Sequence, residues 1–157
     1  MKSILIGLVC LVSCMAGNAQ KVISDTSVKA ELAWFTNEGE AMKAADEHQK
    51  NILMVFAGSD WCRPCIQFKA DILQNEQFSS SHANDLVVLY LDFPSRKKNK
   101  LSPEETKHNE GLAARYNGSG AFPKVILFDA NLNKLKDLEF NGQSVENFSA
   151  MIGEKRD

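Results

Sequence analysis

Ile52-Leu53-Met54-Val55-Phe56-Ala57-Gly58-Ser59-Asp60-Trp61-Cys62-Arg63-Pro64-Cys65 is the stretch on which the reading of this chain turns. Its first six residues are continuously apolar and are closed by Gly58, the pattern of a strand covered on both faces and therefore of the middle of a sheet. Past the cysteines, Ile66, Ala70 and Leu73 share one helical face with Phe68 and Ile72 beside it, which predicts an amphipathic helix over Arg63 to Asn75. Two cysteines thus stand where a buried strand turns, through Ser59 and Asp60, into a helix.

That position has chemical consequences. A dithiol works as a redox couple only when one sulfur is exposed and ionised while the other waits within bonding distance. At a helix entrance the unsatisfied backbone N–H groups and the helix dipole stabilise a negative sulfur. A free cysteine ionises near pH ~8.5, and a Cys-X-X-Cys site lowers this to about 3.5–7.5. Cys62 is accordingly expected to be the exposed, attacking thiolate. Arg63 adds a positive charge beside it, and Pro64 stiffens the turn in an early helical position where no donor is lost. Cys65, one turn further in with Phe68 and Ile72, is expected to be shielded and to resolve the mixed disulfide. Trp61 would shelve the exposed sulfur and offer peptide an apolar contact. A zinc half-site is the competing reading of two such cysteines, but zinc takes four ligands. No second Cys-X-X-Cys is present, and His48, His82 and His108 lie in three separate segments; no metal and no cofactor is expected.

Outward from this centre the chain alternates. Leu32 to Phe35 permits a brief strand, and Glu40 to Gln49, with Ala41, Ala44 and Ala45 at helical spacing, reads as a helix. Leu86 to Leu91 is a second continuous apolar strand. Phe93 to Leu101, carrying Arg96, Lys97, Lys98 and Lys100, reads as a solvated surface loop, with substrate steering as the alternative. Ser102-Pro103-Glu104-Glu105 is a capping box that starts a helix running to Tyr116, ended by Asn117-Gly118. Val125 to Phe128 and Leu135 to Phe140 are strands joined by the turn residues Asp129 to Asn133, and Ser144 or Val145 to Ile152 closes as a helix. Alternation followed by a terminal hairpin implies an α/β fold with a mixed central sheet and helices on both faces.

The chain has 157 residues, enough for one domain with a proper core. Its formal charge is -2, and removal of Lys2 with the first 19 residues leaves -3, so a nucleic-acid partner is not expected. Lys2, the apolar Ile4 to Val12 and the small residues Ala16 to Ala19 read as a signal peptide over residues 1–19, too short for a transmembrane anchor. Leu11-Val12-Ser13-Cys14 resembles a lipobox, and a lipid anchor through Cys14 is the alternative. Residues 20–31 read as a flexible leader and 32–153 as the folded domain. Both Cys10 and Cys14 then belong to the targeting segment, which leaves Cys62 and Cys65 alone to pair. A loop that short constrains the unfolded chain very little, so stability is a poor explanation for the pair.

With these residues in hand, the chain resembles the thioredoxin superfamily over about Leu32 to Ile152. More narrowly it is similar to bacterial periplasmic thioredoxin-like proteins related to the C-terminal domain of the transmembrane disulfide reductase. The matching motifs are the buried strand with Trp61-Cys62-Arg63-Pro64-Cys65 and the downstream Phe122-Pro123. The resemblance implies that Pro123 is a cis proline facing the dithiol and that Phe122 pairs its backbone with bound peptide. It also implies a periplasmic or secreted thiol-disulfide oxidoreductase acting on protein disulfides and recycled by a redox partner. Arg-Pro between the cysteines is closer to the Gly-Pro of reducing members than to the His-containing pairs of oxidants, which favours a reductase. An oxidase or isomerase, or a non-catalytic peptide-binding module, are the alternatives. Two departures stand out. A buried Asp six residues before the first Cys is replaced by Phe56, and the Thr often found after the cis proline is replaced by Lys124.

Overall fold

The computed structural model describes residues 31–153. The signal segment 1–19, the lipobox alternative at Cys14 and all of the leader but Glu31 lie outside the described residues.

Five strands form one sheet: β1 (Ala33–Phe35), β2 (Asn51–Ala57), β3 (Leu86–Asp92), β4 (Lys124–Phe128) and β5 (Lys134–Leu138), in the spatial order β1-β3-β2-β4-β5. β3 runs parallel to both β1 and β2, while β4 is antiparallel to β2 and β5 to β4. β2 is therefore central, as its unbroken apolar run requires: Ile52 to Phe56 are fully buried. The strand's two faces then feed two cores, because successive side chains alternate. Leu53, Val55 and Ala57 pack with Val88, Val125 and Leu127 against Phe68, Ile72, Phe78 and Phe148. Ile52, Met54 and Phe56 pack with Leu89 and Phe128 against Ala41, Ala45 and Leu112. Each fully buried aromatic or aliphatic side chain contributes about 1.5–3 kcal/mol.

Helices α1 (Glu38–Glu47) and α4 (Pro103–Tyr116) cover the second face; α2 (Arg63–Phe68), α3 (Glu76–His82) and α5 (Val145–Gly153) cover the first. The N-cap expected for α4 forms, with Ser102 Oγ accepting from Glu105 N–H at 3.1 Å. α1 begins two residues earlier than the alanine spacing indicates, since Asn37 Oδ1 caps it by accepting from Glu40 N–H. It also ends earlier, because Gln49 takes a left-handed φ of 52° and turns the chain into β2.

The helix expected over Arg63 to Asn75 divides. α2 passes into a π-helical segment, Lys69–Leu73, and a separate α3 follows, capped by Asn75. The buried stripe is Cys65, Phe68, Ile72 and Leu73, whereas Ile66, expected on the inward face, is 48% exposed. Apolar residues occupy more than half the circumference of this helix, and the sheet covers only part of it. The stripe that wins is the one that carries the two large residues Phe68 and Ile72 inward. The last strand is likewise shorter than its apolar ends suggest: β5 stops at Leu138, and Phe140 instead packs on Phe68 with ring centroids 5.0 Å apart.

Candidate active site

The turn after β2 places Cys62 as the N-cap of α2. Cys62 N–H donates to Gly58 O at 3.0 Å, and the backbone of Cys65 donates to Cys62 Sγ at 3.3 Å. The two cysteines are joined in a disulfide with Cα atoms 5.2 Å apart. Pro64 lies in the first helical turn, as expected, and Arg63 is exposed beside it.

The solvent-exposed sulfur expected at Cys62 is not found. Cys62 is only 5% exposed and Cys65 1%, so in this oxidised form neither sulfur stands out in solvent. The Cys62 side chain is turned inward to its partner and to the Cys65 N–H, and both residues join the core beneath β2. What is exposed is the apolar surface next to them. Trp61 is 51% exposed, and Ile66, one helical turn after Cys62 and on the same side of the helix, is 48% exposed.

Trp61 is held rather than loose. Its Nε1–H donates to Phe93 O at 2.7 Å, and its ring lies close against Gly58, where a Cβ would come within 2.3 Å of the indole. Only glycine leaves room for that ring. The indole meets Phe122 in an edge arrangement at 5.4 Å, and Phe122 meets Phe93 in the same way at 5.4 Å. Phe122 also packs against the cluster that contains both cysteines, and the Phe122–Pro123 peptide bond is cis. The motif residues separated by some sixty positions in the sequence are thereby brought to one end of β2 and β4.

Two carboxylates fix this end of the molecule. Asp92, at the end of β3, accepts from Ser59 N–H at 2.9 Å and from Ser59 Oγ–H at 2.6 Å, as well as from Phe93 N–H. Asp60 reaches the other way. It accepts from Ser95 N–H at 2.9 Å, Arg96 N–H at 3.0 Å and Asn99 Nδ2–H at 2.8 Å. The Ser95 backbone bond chiefly, aided by Asn99 and Arg96, holds the Asp60 carboxyl below its ordinary range. Asn109, 1% exposed on α4, completes the set by donating to Asp92 O at 2.9 Å. Burial, with the charge of Asp92 added, pushes the nearby Tyr90 phenol up to about 12, so that hydroxyl stays protonated.

Among the residues singled out in the sequence, Lys124 points elsewhere: its ammonium pairs with Asp137 on β5 at 2.8 Å. Phe56 lies on the opposite face of β2 from the cysteines and packs toward Phe93. The histidines stay apart. His82 is bonded to Asp85 and Ser149, His108 to Asn109 and to Glu38 N–H, and His48 ends α1.

The family model described as thioredoxin-like matches residues 33–130. This chain belongs to the thioredoxin-like family. Among thioredoxin-like relatives, the disulfide bond reductase DsbH of Chlamydia pneumoniae is 33% identical over 111 residues, 71% of this chain and 64% of that protein. The chain thus spans less than two thirds of that relative's length. The solved structure of a DsbH oxidoreductase superposes with a TM-score of 0.71 at 25% identity, covering 85% of this chain and 90% of the other. A thioredoxin from Thermus thermophilus gives 0.57 at 20% identity over 78% and 85%, a likeness of fold alone. The mixed five-stranded sheet with helices on both faces is the thioredoxin-like architecture that the sequence implies. The thioredoxin-like frame also shows what sequence reasoning missed. Gly58, Asp60, Asp92, Phe93 and Asn109 support the site, and Ile66 borders it. Gly58 and Asp60 carried a signal as turn residues and Ile66 as an apolar helix residue assigned to the core; Asp92, Phe93 and Asn109 act through contacts across the fold.

Proposed function

We propose that this chain is an exported thiol-disulfide oxidoreductase that reduces protein disulfides through Cys62 and Cys65. In the reduced protein, Cys62 thiolate attacks one sulfur of a substrate disulfide. A mixed disulfide forms, and the other substrate sulfur leaves as a thiolate and takes up a proton. Cys65 thiolate then attacks Cys62 Sγ, closing the internal disulfide and expelling the second substrate sulfur as a thiol. Two electrons and two protons pass to substrate, and a dithiol donor of the same compartment must return them.

The observation that carries this reading is the Cys62–Cys65 disulfide at a helix entrance, bordered by exposed Trp61 and Ile66. Trp61, Phe122 and the backbone before Pro123 are the proposed peptide contacts; Arg63 and Pro64 tune the thiolate. The name of the Chlamydia relative supports the reducing direction. Among the described residues no helix is long and apolar enough to cross a membrane, and the proposed location is periplasmic or secreted, with lipid anchoring through Cys14 as the alternative.

The decisive experiment replaces Cys65 with Ser in the native compartment and recovers what stays bound to Cys62. Covalent complexes are expected with Cys65→Ser and none with Cys62→Ser. The intact protein should accelerate dithiothreitol-driven insulin reduction, and its potential should fall toward the reducing end of the roughly -270 to -120 mV range of such dithiols. A potential at the other end would assign it to disulfide formation or shuffling. No complex and no insulin reduction would leave a peptide-binding module.

A further inference from the structure

We propose that the loop Phe93 to Leu101 is a fixed basic rim of the dithiol site and selects disulfide-bearing partners with acidic segments next to the reactive disulfide. The inference rests on the oxidoreductase reading and names its substrate class. Residues 92–101 hold Arg96, Lys97, Lys98 and Lys100 against one carboxylate, Asp92, in a chain whose formal charge is -2. All four basic side chains are exposed. Among the described residues the ion pairs use Lys43, His82, Lys124 and Lys134, and none of these four.

An exposed charge run alone would say little. What distinguishes this one is its attachment. Asp60, two residues before Cys62, accepts from Ser95 N–H, Arg96 N–H and Asn99 Nδ2–H. Trp61, immediately before Cys62, donates to Phe93 O. The loop's backbone is therefore tied to the two residues that precede Cys62. Asp60 and Asp92 accept from N–H donors of these same loops, and the further carboxylates nearby are Glu110, which lines a cleft with Lys100, and Glu104 and Glu105 in the first turn of α4. Arg63, exposed at the start of α2, adds a positive charge directly after Cys62 in the chain. The Arg96 charge adds to the hold on the Asp60 carboxylate, but Lys97, Lys98 and Lys100 take no part in the ion pairs among the described residues, and like charges in one loop repel. They would attract and orient an acidic partner, since clustered charge of one sign raises association rates by about 10- to 1,000-fold and loses that effect in salt.

The test uses the reduced full chain and two disulfide-bonded peptides of equal length, one with Asp and Glu flanking its cysteines, the other with Lys. Each protein's rate with bis(2-hydroxyethyl) disulfide, small and uncharged, serves as its reference. The acidic peptide should be reduced about tenfold faster than the basic one at low ionic strength, and the ratio should approach one near 1 M salt, where the Debye length is about 3 Å. Replacing Arg96, Lys97, Lys98 and Lys100 together by Ser should remove the preference. Lys98→Glu alone should lower it in part, which guards against misfolding of the fourfold variant. Equal rates for the two peptides, or a preference that survives the fourfold change, would overturn the rim. No reduction of the small disulfide would instead sink the oxidoreductase reading. In that event, anisotropy of labelled peptides with Ser for Cys decides the rim separately: salt-sensitive binding of the acidic one that the fourfold change abolishes supports it, and binding indifferent to charge refutes it.

Discussion

The two ends of the parallel strands β2 and β3 are tied by the same kind of polar contact and yet leave very different surfaces. At their N-terminal end, Asn51 N–H donates to Asp85 O, Lys50 Nζ donates to Ala83 O, and the His82 ring bridges Asp85 and Ser149 while stacking near Phe78. Each group there is matched by a neighbour in the fold. At the C-terminal end Asp60 and Asp92 bind backbone N–H groups just as closely. Beside them, however, stand an exposed indole, an exposed isoleucine, a disulfide and a run of exposed cations. Polar ties alone do not mark a site. The mark is what stands exposed beside them.

The contrast can be broken from either end. The largest effect is expected at the closed end: Phe78→Ala empties a fully buried position between Phe148 and His82 and should cost about 3–5 kcal/mol in denaturant unfolding. Disulfide exchange per folded molecule should be little changed; a loss of exchange out of proportion to folding would show that the two ends are coupled. At the open end, Gly58→Ala should cost about 1–3 kcal/mol, because the new methyl must push the Trp61 ring off the turn. Here the signature is in function, a rise in KM for peptide disulfides, and an unchanged KM would remove Trp61 from the peptide contacts. Asp92→Ala leaves the part-buried Ser59 N–H without its acceptor and should cost about 1–3 kcal/mol by the same melts. Loss of stability with no change in exchange rate would make Asp92 a structural tie only.

The smallest effect is local and pH-dependent. Since Asp60 is held below the ordinary carboxylate range by its N–H donors, its tie is complete above that range and is lost as pH falls through the lowered value. Protection of the Ser95 and Arg96 amides against hydrogen exchange, corrected for intrinsic rates, should persist through the ordinary carboxylate titration and fail only at lower pH. Failure already at the ordinary value would mean that the carboxylate does not hold the loop.

Much of this was legible in residue order. The continuous run Ile52 to Ala57 located the central strand, and Ser102-Pro103-Glu104-Glu105 located the start of α4. Trp61 to Cys65 located the turn that carries the disulfide. α3 was not legible: Glu76 to His82 has three serines and Phe78 as its one large apolar side chain, too few for a helical period, and it forms because Asn75 caps it and Phe78 packs on Phe148. Nor was the burial of Cys62, since a two-residue spacing says where a sulfur starts but not which way it turns. The supporting residues Asp92, Phe93 and Asn109 were invisible for a different reason. Each works across 17 to 33 positions of chain, and such pairing exists only once the strands are side by side.

The strand order sets a schedule for the site. β4 lies next to β2, although α2, α3, β3 and α4 separate them in the chain, so Phe122 and Pro123 reach the cysteines only after most of the domain has been made. Until then a chain emerging from the N-terminus presents its two thiols without the aromatic wall that will flank them. A chaperone or an early oxidant would meet them in that interval as ordinary cysteines.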